Sequence, residues 1–214
     1  MYERTIHYGH NYNIDYNPYY PRGYKIERIY RILLSKRGKR KRRTWYQIAK
    51  EGNVSYGWAH KILSDLQDKK IIQGSIVKKP RRLFEIWSNH QLDIPYKEYH
   101  IQRPKNVIKE VKLYYAFTTY IAENIIGNYL FPRLYDIYIY EEHLLDWHSI
   151  LSKKGYVGKG NVRILLSDKH VFRDRKIVDG WPIVSIQQII VDLMREGGEC
   201  GDAADLLIKR FYND

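Results

Sequence analysis

Residues 44–87, TWYQIAKEGNVSYGWAHKILSDLQDKKIIQGSIVKKPRRLFEIW, decide how the rest of the chain is read. TWYQIAKEG predicts a short helix with Ile48 and Ala49 inward, stopped by Gly52 and Asn53, two residue types that tolerate a left-handed backbone. Ser55 stands where a helix cap is wanted. From Ser55 to Lys70 the apolar residues Ala59, Ile62, Leu63 and Leu66 fall at i, i+3, i+4 and i+7, so one stripe packs on a core. At about 100° per residue the opposite face carries Gly57, Lys61 and Ser64, with His60 on one flank and Trp58 on the other. Small, basic and hydroxyl side chains with few acids suit a helix that enters a major groove. Residues 71–77 and 83–87 alternate like two strands joined by Lys78-Lys79-Pro80-Arg81-Arg82, a basic hairpin tip. A further helix over 25–35, with Ile26, Ile29, Tyr30 and Leu33 inward, precedes the pair. Helix, helix, helix, hairpin is the winged-helix order.

Charge agrees with that order. The 214 residues carry a formal net charge of +13. Residues 1–105 hold 23 Lys and Arg against 9 Asp and Glu, whereas residues 106–214 hold 14 against 15, so the whole excess lies in the first half and points to a polyanion. The run Lys36-Arg37-Gly38-Lys39-Arg40-Lys41-Arg42-Arg43 places seven positive charges in eight positions just before the first helix of the pair. Such runs are often solvated loops. Here the position favours contact with phosphate by Lys39, Arg40, Lys41, Arg42 and Arg43. The helix-start hydroxyls of Thr44 and Ser55 and the tip residues Lys78, Lys79, Arg81 and Arg82 complete the expected phosphate set. Contacts of that kind position a protein without specifying sequence, so base reading falls to Gly57, His60, Lys61 and Ser64.

Residues 1–24 hold seven of the chain's 21 tyrosines among Asn, His, Gly and Pro, without helical period, and read as an extended arm over its own domain, over DNA or over a partner copy. One cysteine, Cys200, excludes an intramolecular disulfide, and no Cys/His cluster suggests zinc, which fits a reducing cytoplasm with no metal or other cofactor. No apolar run approaches the ~18 residues of a membrane span.

Residues 91–105, polar and with two prolines, read as a linker after a domain at 25–90. Beyond it a helix is expected over 111–126, a strand over 135–140, an amphipathic helix over 141–152, a strand over 162–167, a strand region with an Asp179-Gly180 turn over 171–184, and helices over 186–195 and 200–212. Asp136, Glu141 and Glu142 raise the question of metal-dependent nucleotidyl transfer or nuclease chemistry. That chemistry wants a second acid two residues after Asp136, where a tyrosine stands, and a Gly-Ser turn before the strand, where Leu130-Phe131-Pro132-Arg133 stands. Asp136 is therefore expected at a strand edge or in a structural role, with no catalytic residue. His143, His148 and His170 are scattered and read as ordinary histidines. Cys200 sits between glutamate and glycine near a helix start, a setting that can activate a thiol, but no base accompanies it.

The succession YYAFTTYIAENIIG (114–127), LYDIYIYEEHL (134–144), GNVRILLSD (160–168), VFRDRKIVDGWPIVSIQQIIVDLM (171–194) and DAADLLIKRF (202–211) resembles the C-terminal domain of AbiEi-type antitoxin regulators. Its most telling part is VDGWPIVSIQQIIVDL, where a turn runs through Val184 and Ser185 into a helix bearing Gln188 and Asp192. The resemblance implies an α+β fold: a winged helix-turn-helix domain followed by a mixed, nucleotidyltransferase-like α+β domain at 106–214. It also implies repression of the chain's own operon and neutralisation, without a tight complex, of a nucleotidyltransferase toxin. The expected function is thus a sequence-specific regulator of double-stranded DNA, pairing as a homodimer on it. The rivals are a nucleotidyltransferase-like enzyme acting on nucleic acid and a single-stranded RNA or DNA binder.

Overall fold

The computed structural model describes residues 23–35, 43–90, 92 and 94–212. The chain opens with α1 (Tyr24–Leu34), whose Ile29, Tyr30, Ile32, Leu33 and Leu34 are all buried. Next come α2 (Trp45–Glu51) and α3 (Tyr56–Asp68), joined by a turn with Asn53 at φ 50°. As the apolar spacing requires, Ala59, Leu63 and Leu66 of α3 are buried against Ile48 and Ala49 of α2. Ile62 is only half-buried.

The hairpin is smaller than expected. It consists of β1 (Ile72–Gln73) and β2 (Ile76–Val77), turning at Gly74, whose φ of 62° favours glycine. The second wing strand expected at 83–87 is instead the middle of α4 (Pro80–Asn89). In a strand the neighbours Leu83 and Phe84 would face opposite ways; in a helix Leu83, Phe84 and Trp87, at i, i+1 and i+4, share a stripe, and all three are buried. Pro80 decides between the two: at N1 its missing N–H costs nothing and its fixed φ starts a helix. Lys78 and Lys79 close the hairpin, both backbone N–H groups donating to the Ile71 carbonyl.

The second half is a seven-stranded mixed sheet in the order β6-β3-β7-β5-β4-β9-β8. Its strands are β3 (Tyr96–Ile101), β4 (Tyr115–Phe117), β5 (Tyr135–Ile139), β6 (Gly155–Val157), β7 (Val162–Leu166), β8 (Lys176–Val178) and β9 (Trp181–Ile183). β5 runs parallel to β7, and β4 parallel to β9; the other pairings are antiparallel. The helices are α5 (Pro104–Glu110), α6 (Thr119–Ile126), α7 (Leu144–Ser152), α8 (Ile186–Glu196) and α9 (Glu199–Tyr212), with short 3-10 turns at Glu141–His143 and Lys169–Phe172. The fold is mixed α+β, and among the described residues no helix is long and apolar enough to cross a membrane.

Three segments differ from expectation. The stretch 91–105, read as a linker, supplies β3, which lies between β6 and β7. Tyr99 and Ile101 of that strand are buried while His100 is exposed, an alternation masked in the sequence by polar neighbours. Within 111–126 the first part is strand β4, and the helix begins only after Thr118. Within 171–178 the strand is confined to β8, because residues 169–172 form a 3-10 turn capped by Asp168. The buried residues of α1 to α4 and those of the sheet form one continuous core, with α4 packed on α8 and α9.

Candidate nucleic-acid interface

The two helices that carry the expected contacts are tightly capped. Thr44 Oγ1 accepts from the Gln47 N–H at 3.1 Å, and Gln47 Oε1 accepts from the Thr44 N–H at 2.8 Å, a reciprocal capping box. Ser55 Oγ accepts from the Trp58 N–H at 3.4 Å. Both hydroxyls expected at phosphate thus already hold helix starts.

With its apolar stripe buried, α3 turns Tyr56, Gly57, His60 and Lys61 to solvent, and Ser64 is half-exposed. A Cβ added at Gly57 would meet nothing within 4 Å, so this part of the helix surface is open to close approach. Of the four expected base readers, two engage each other: Ser64 Oγ lies 3.3 Å from His60 Nδ1. Lys61 has no ion pair among the described residues. Acids appear only further along α3, at Asp65, paired with Lys69 at 2.7 Å, and at Asp68.

Sequence reasoning overlooked an aromatic wall beside these residues. Tyr46 and Tyr56 are 64% and 48% exposed, with ring centroids 6.3 Å apart. The His60 ring sits between Tyr56, at 5.8 Å, and Trp45, at 5.0 Å. Trp45 Nε1 donates to the Gly74 carbonyl at 3.0 Å, and the Gly74 N–H donates to Gln67 Oε1 at 3.0 Å, so the hairpin tip is tied to both helices. The available signal was the placement of Trp45, Tyr46 and Tyr56 at the first turns of two helices, positions that need not face a core.

The expected phosphate residues are not gathered into one patch. Lys39, Arg40, Lys41 and Arg42 lie outside the described residues, as do residues 1–22 of the arm expected over 1–24; its last residue, Tyr24, instead opens α1 and is buried. Arg43 is largely buried, bound to Glu51 at 3.1 Å and to the Ile32 carbonyl at 3.4 Å. Lys78 and Lys79 are exposed. Arg81 and Arg82 are not at a hairpin tip: they lie in the first turn of α4, where Arg81 pairs with Asp205 of α9 at 2.9 Å and Arg82 with Glu85 at 2.7 Å.

Behind α3, α1 is bound to the sheet domain through a buried polar seam. Arg31, 1% exposed, donates from Nε to Gln188 at 2.8 Å, lies 3.0 Å from His170 Nδ1 and covers the Trp87 ring. Glu27, 2% exposed, accepts from Arg31 and Arg195. Asp192 accepts from Thr118 at 2.6 Å, Gln188 at 2.8 Å and Tyr138 at 3.3 Å. Burial pushes the Asp192 carboxyl up to about 6, against the opposing pull of Arg195 and the hydrogen bonds. Burial, then the charges of Arg31, Arg173 and Arg28, push His170 down to about 3. The i, i+4 pairs Glu27/Arg31 and Gln188/Asp192 were visible in the sequence, but nothing there showed that they meet.

Asp136 is fully buried in the middle of the sheet, not at an edge. Arg163 grips both its oxygens, at 2.6 and 2.7 Å, and the Thr119 hydroxyl donates to it. Arg163 also reaches Glu196 at 2.9 Å. Cys200 is buried beside Tyr120, and burial pushes its thiol up to about 11, the reverse of the activation its sequence neighbours suggested. His143 pairs with Asp146, and His148 with the Tyr99 hydroxyl. Among the described residues no group of three or more His, Cys, Asp or Glu side chains is placed to hold a metal. Compared with known proteins, the chain matches no family model, no curated protein and no solved structure.

Proposed function

We propose that this chain is a sequence-selective double-stranded DNA-binding regulator in which α2 and α3 act as a helix-turn-helix, α3 reads bases and the small hairpin stands in for a wing. The observation that carries this reading is the outward face of α3. It is open at Gly57, donor-bearing at His60 and Lys61, and follows within one short helix of a run with seven positive charges in eight positions. A groove-reading helix needs that combination of a rigid mount, a small open position and nearby phosphate-neutralising charge. Pairing of two copies on adjacent half-sites belongs to the same proposal. So does the finer role of autorepressing antitoxin to a nucleotidyltransferase toxin, which rests on the resemblance of residues 114–211 alone.

A second reading draws on the exposed Tyr46 and Tyr56, since aromatic rings beside positive charge are also what single-strand binders use to stack bases. Competition separates the two. A labelled duplex held by the full chain should be displaced by unlabelled duplex at least about tenfold more effectively than by either of its strands, given the phosphate spacing a duplex offers. Stronger displacement by the single strands would replace the duplex reading with the single-strand one. The antitoxin role is tested by co-expression with the product of an adjacent nucleotidyltransferase-like reading frame, where rescue of growth is expected.

A further inference from the structure

The charge along α3 is polarised, and its exposed groups differ in hydrogen-bonding sense from one end to the other. The half from Tyr56 to Ile62 contains Lys61 and no acid, whereas Asp65 and Asp68 both fall in the second half. Laid flat along a groove, α3 would bring those two carboxylates against phosphate. Tilted, with its first two turns inserted, it keeps them clear and brings Gly57, His60 and Lys61 to the base edges, since recognition helices contact bases mainly through their N-terminal residues. In that half the groove-facing side chains that can hydrogen-bond are His60 and Lys61. Lys61 has only donors. His60 Nδ1 lies 3.3 Å from Ser64 Oγ; in the tautomer in which the serine hydroxyl donates to Nδ1, the ring proton is on Nε2, on the other side of the imidazole. Trp45 on one side and Tyr56 on the other hold the ring in place.

A surface of donors side by side is complementary to the base edge that offers two acceptors side by side. In the major groove that edge is guanine, with N7 and O6; adenine and thymine each mix an acceptor with a donor or a methyl group, and cytosine offers a donor. We infer that α3 enters the major groove by its N-terminal half, that His60 and Lys61 donate to guanine N7 and O6, and that Ser64 positions the His60 ring instead of touching a base. This rests on the duplex reading given above and adds the base and the atoms.

The test uses the full chain and duplexes enriched from a random library by binding to it. Each guanine of the enriched site is replaced in turn by 7-deazaguanine, which lacks N7 and keeps Watson–Crick pairing, and affinity is measured at fixed salt. At one guanine or more the replacement should weaken the wild type about tenfold or more, the size of a good base contact, and should cost His60→Ala nothing further. Ser64→Ala should lose much of the sensitivity to 7-deazaguanine, and Ser64→Thr, which keeps the hydroxyl, should recover it; a merely structural serine would change overall affinity and leave that sensitivity unaltered. His60 and Lys61 are exposed, so their variants should melt as the wild type does. If no duplex is enriched, the duplex reading fails and this inference with it. If a duplex is enriched but no guanine is sensitive, or the sensitivity survives in His60→Ala, the duplex reading stands and the guanine assignment is overturned.

Discussion

At the scale of single residues, the seam behind α3 holds two groups displaced in opposite directions by the same cause. Burial raises Asp192 to about 6, so between the ordinary carboxylate value near 4 and that value the folded chain holds a proton the unfolded chain lacks, and stability rises as pH falls. Burial lowers His170 to about 3, so between about 6.5 and 3 the unfolded chain holds the extra proton, and stability falls with pH. The charged or polar groups facing them are Glu27, Arg28 and Arg31 of α1, Arg173 beyond the 3-10 turn, Gln188 and Arg195 of α8, Thr118 and Tyr138. In the wild type the two slopes largely cancel between pH 4 and 6. Denaturant titrations across that range should show Asp192→Asn losing stability toward acid more steeply than the wild type, and His170→Gln losing less or gaining. Parallel curves for wild type and Asp192→Asn would show that Asp192 titrates normally in the folded chain.

At the scale of elements, α2 has only seven residues and depends on its cap, because so short a helix has little stability of its own. Thr44→Ala removes the acceptor for Gln47 N–H and should cost about 1 kcal/mol in urea denaturation. A cost near zero would mean that the capping box does not form in solution. The cap also shows what was legible beforehand. Helix pairs announce themselves through period and cap chemistry, so α1, α2 and α3 could be read from Ile29, Ile48, Ala59, Leu63 and their neighbours. The outer segments resisted for physical reasons. The run 83–87 is mostly apolar and too short for its period to stand out, and the role of Pro80 as a helix starter is what decides it. β3 hides its buried Tyr99 and Ile101 among Lys97, Glu98 and His100, because Lys97 is only half-buried on the same face while Glu98 and His100 lie on the less enclosed one. The outward face of α3 was legible because it is the complement of an apolar stripe. The aromatic wall was not, since Tyr46 and Tyr56 meet only once the turn at Asn53 folds α2 against α3.

At the scale of the whole molecule, the helical unit is not a module on a tether. Arg28 reaches Asp168 at 2.7 Å, Tyr212 donates to the Leu34 carbonyl at 2.8 Å, Arg173 bonds Glu51, and α4 packs on α8 and α9. Removing Glu27 alone would leave Arg31 and Arg195 buried and short of a partner, a penalty of about 3–5 kcal/mol felt by both units. Unfolding followed by tryptophan fluorescence and by far-ultraviolet circular dichroism should therefore give one coincident transition. Two separated transitions would mean that the units fold independently. A rigid mount of this kind would fix the angle at which α3 meets the proposed duplex.

The most direct measurement of the central claim is a salt titration of affinity on an enriched duplex and on a shuffled duplex of equal length. It compares the wild type, Lys61→Ala and a variant with Arg40, Lys41 and Arg42 changed to Gln. The wild type should prefer the enriched duplex, with log affinity falling linearly in log salt. Lys61→Ala should shrink the preference by about 1–3 kcal/mol, whereas the triple variant should weaken both duplexes alike and lower the slope by about one unit for each phosphate it no longer neutralises. Equal affinity of the wild type for both duplexes, or a triple variant that keeps the full slope while Lys61→Ala keeps the full preference, would contradict the division of labour between α3 and the basic run.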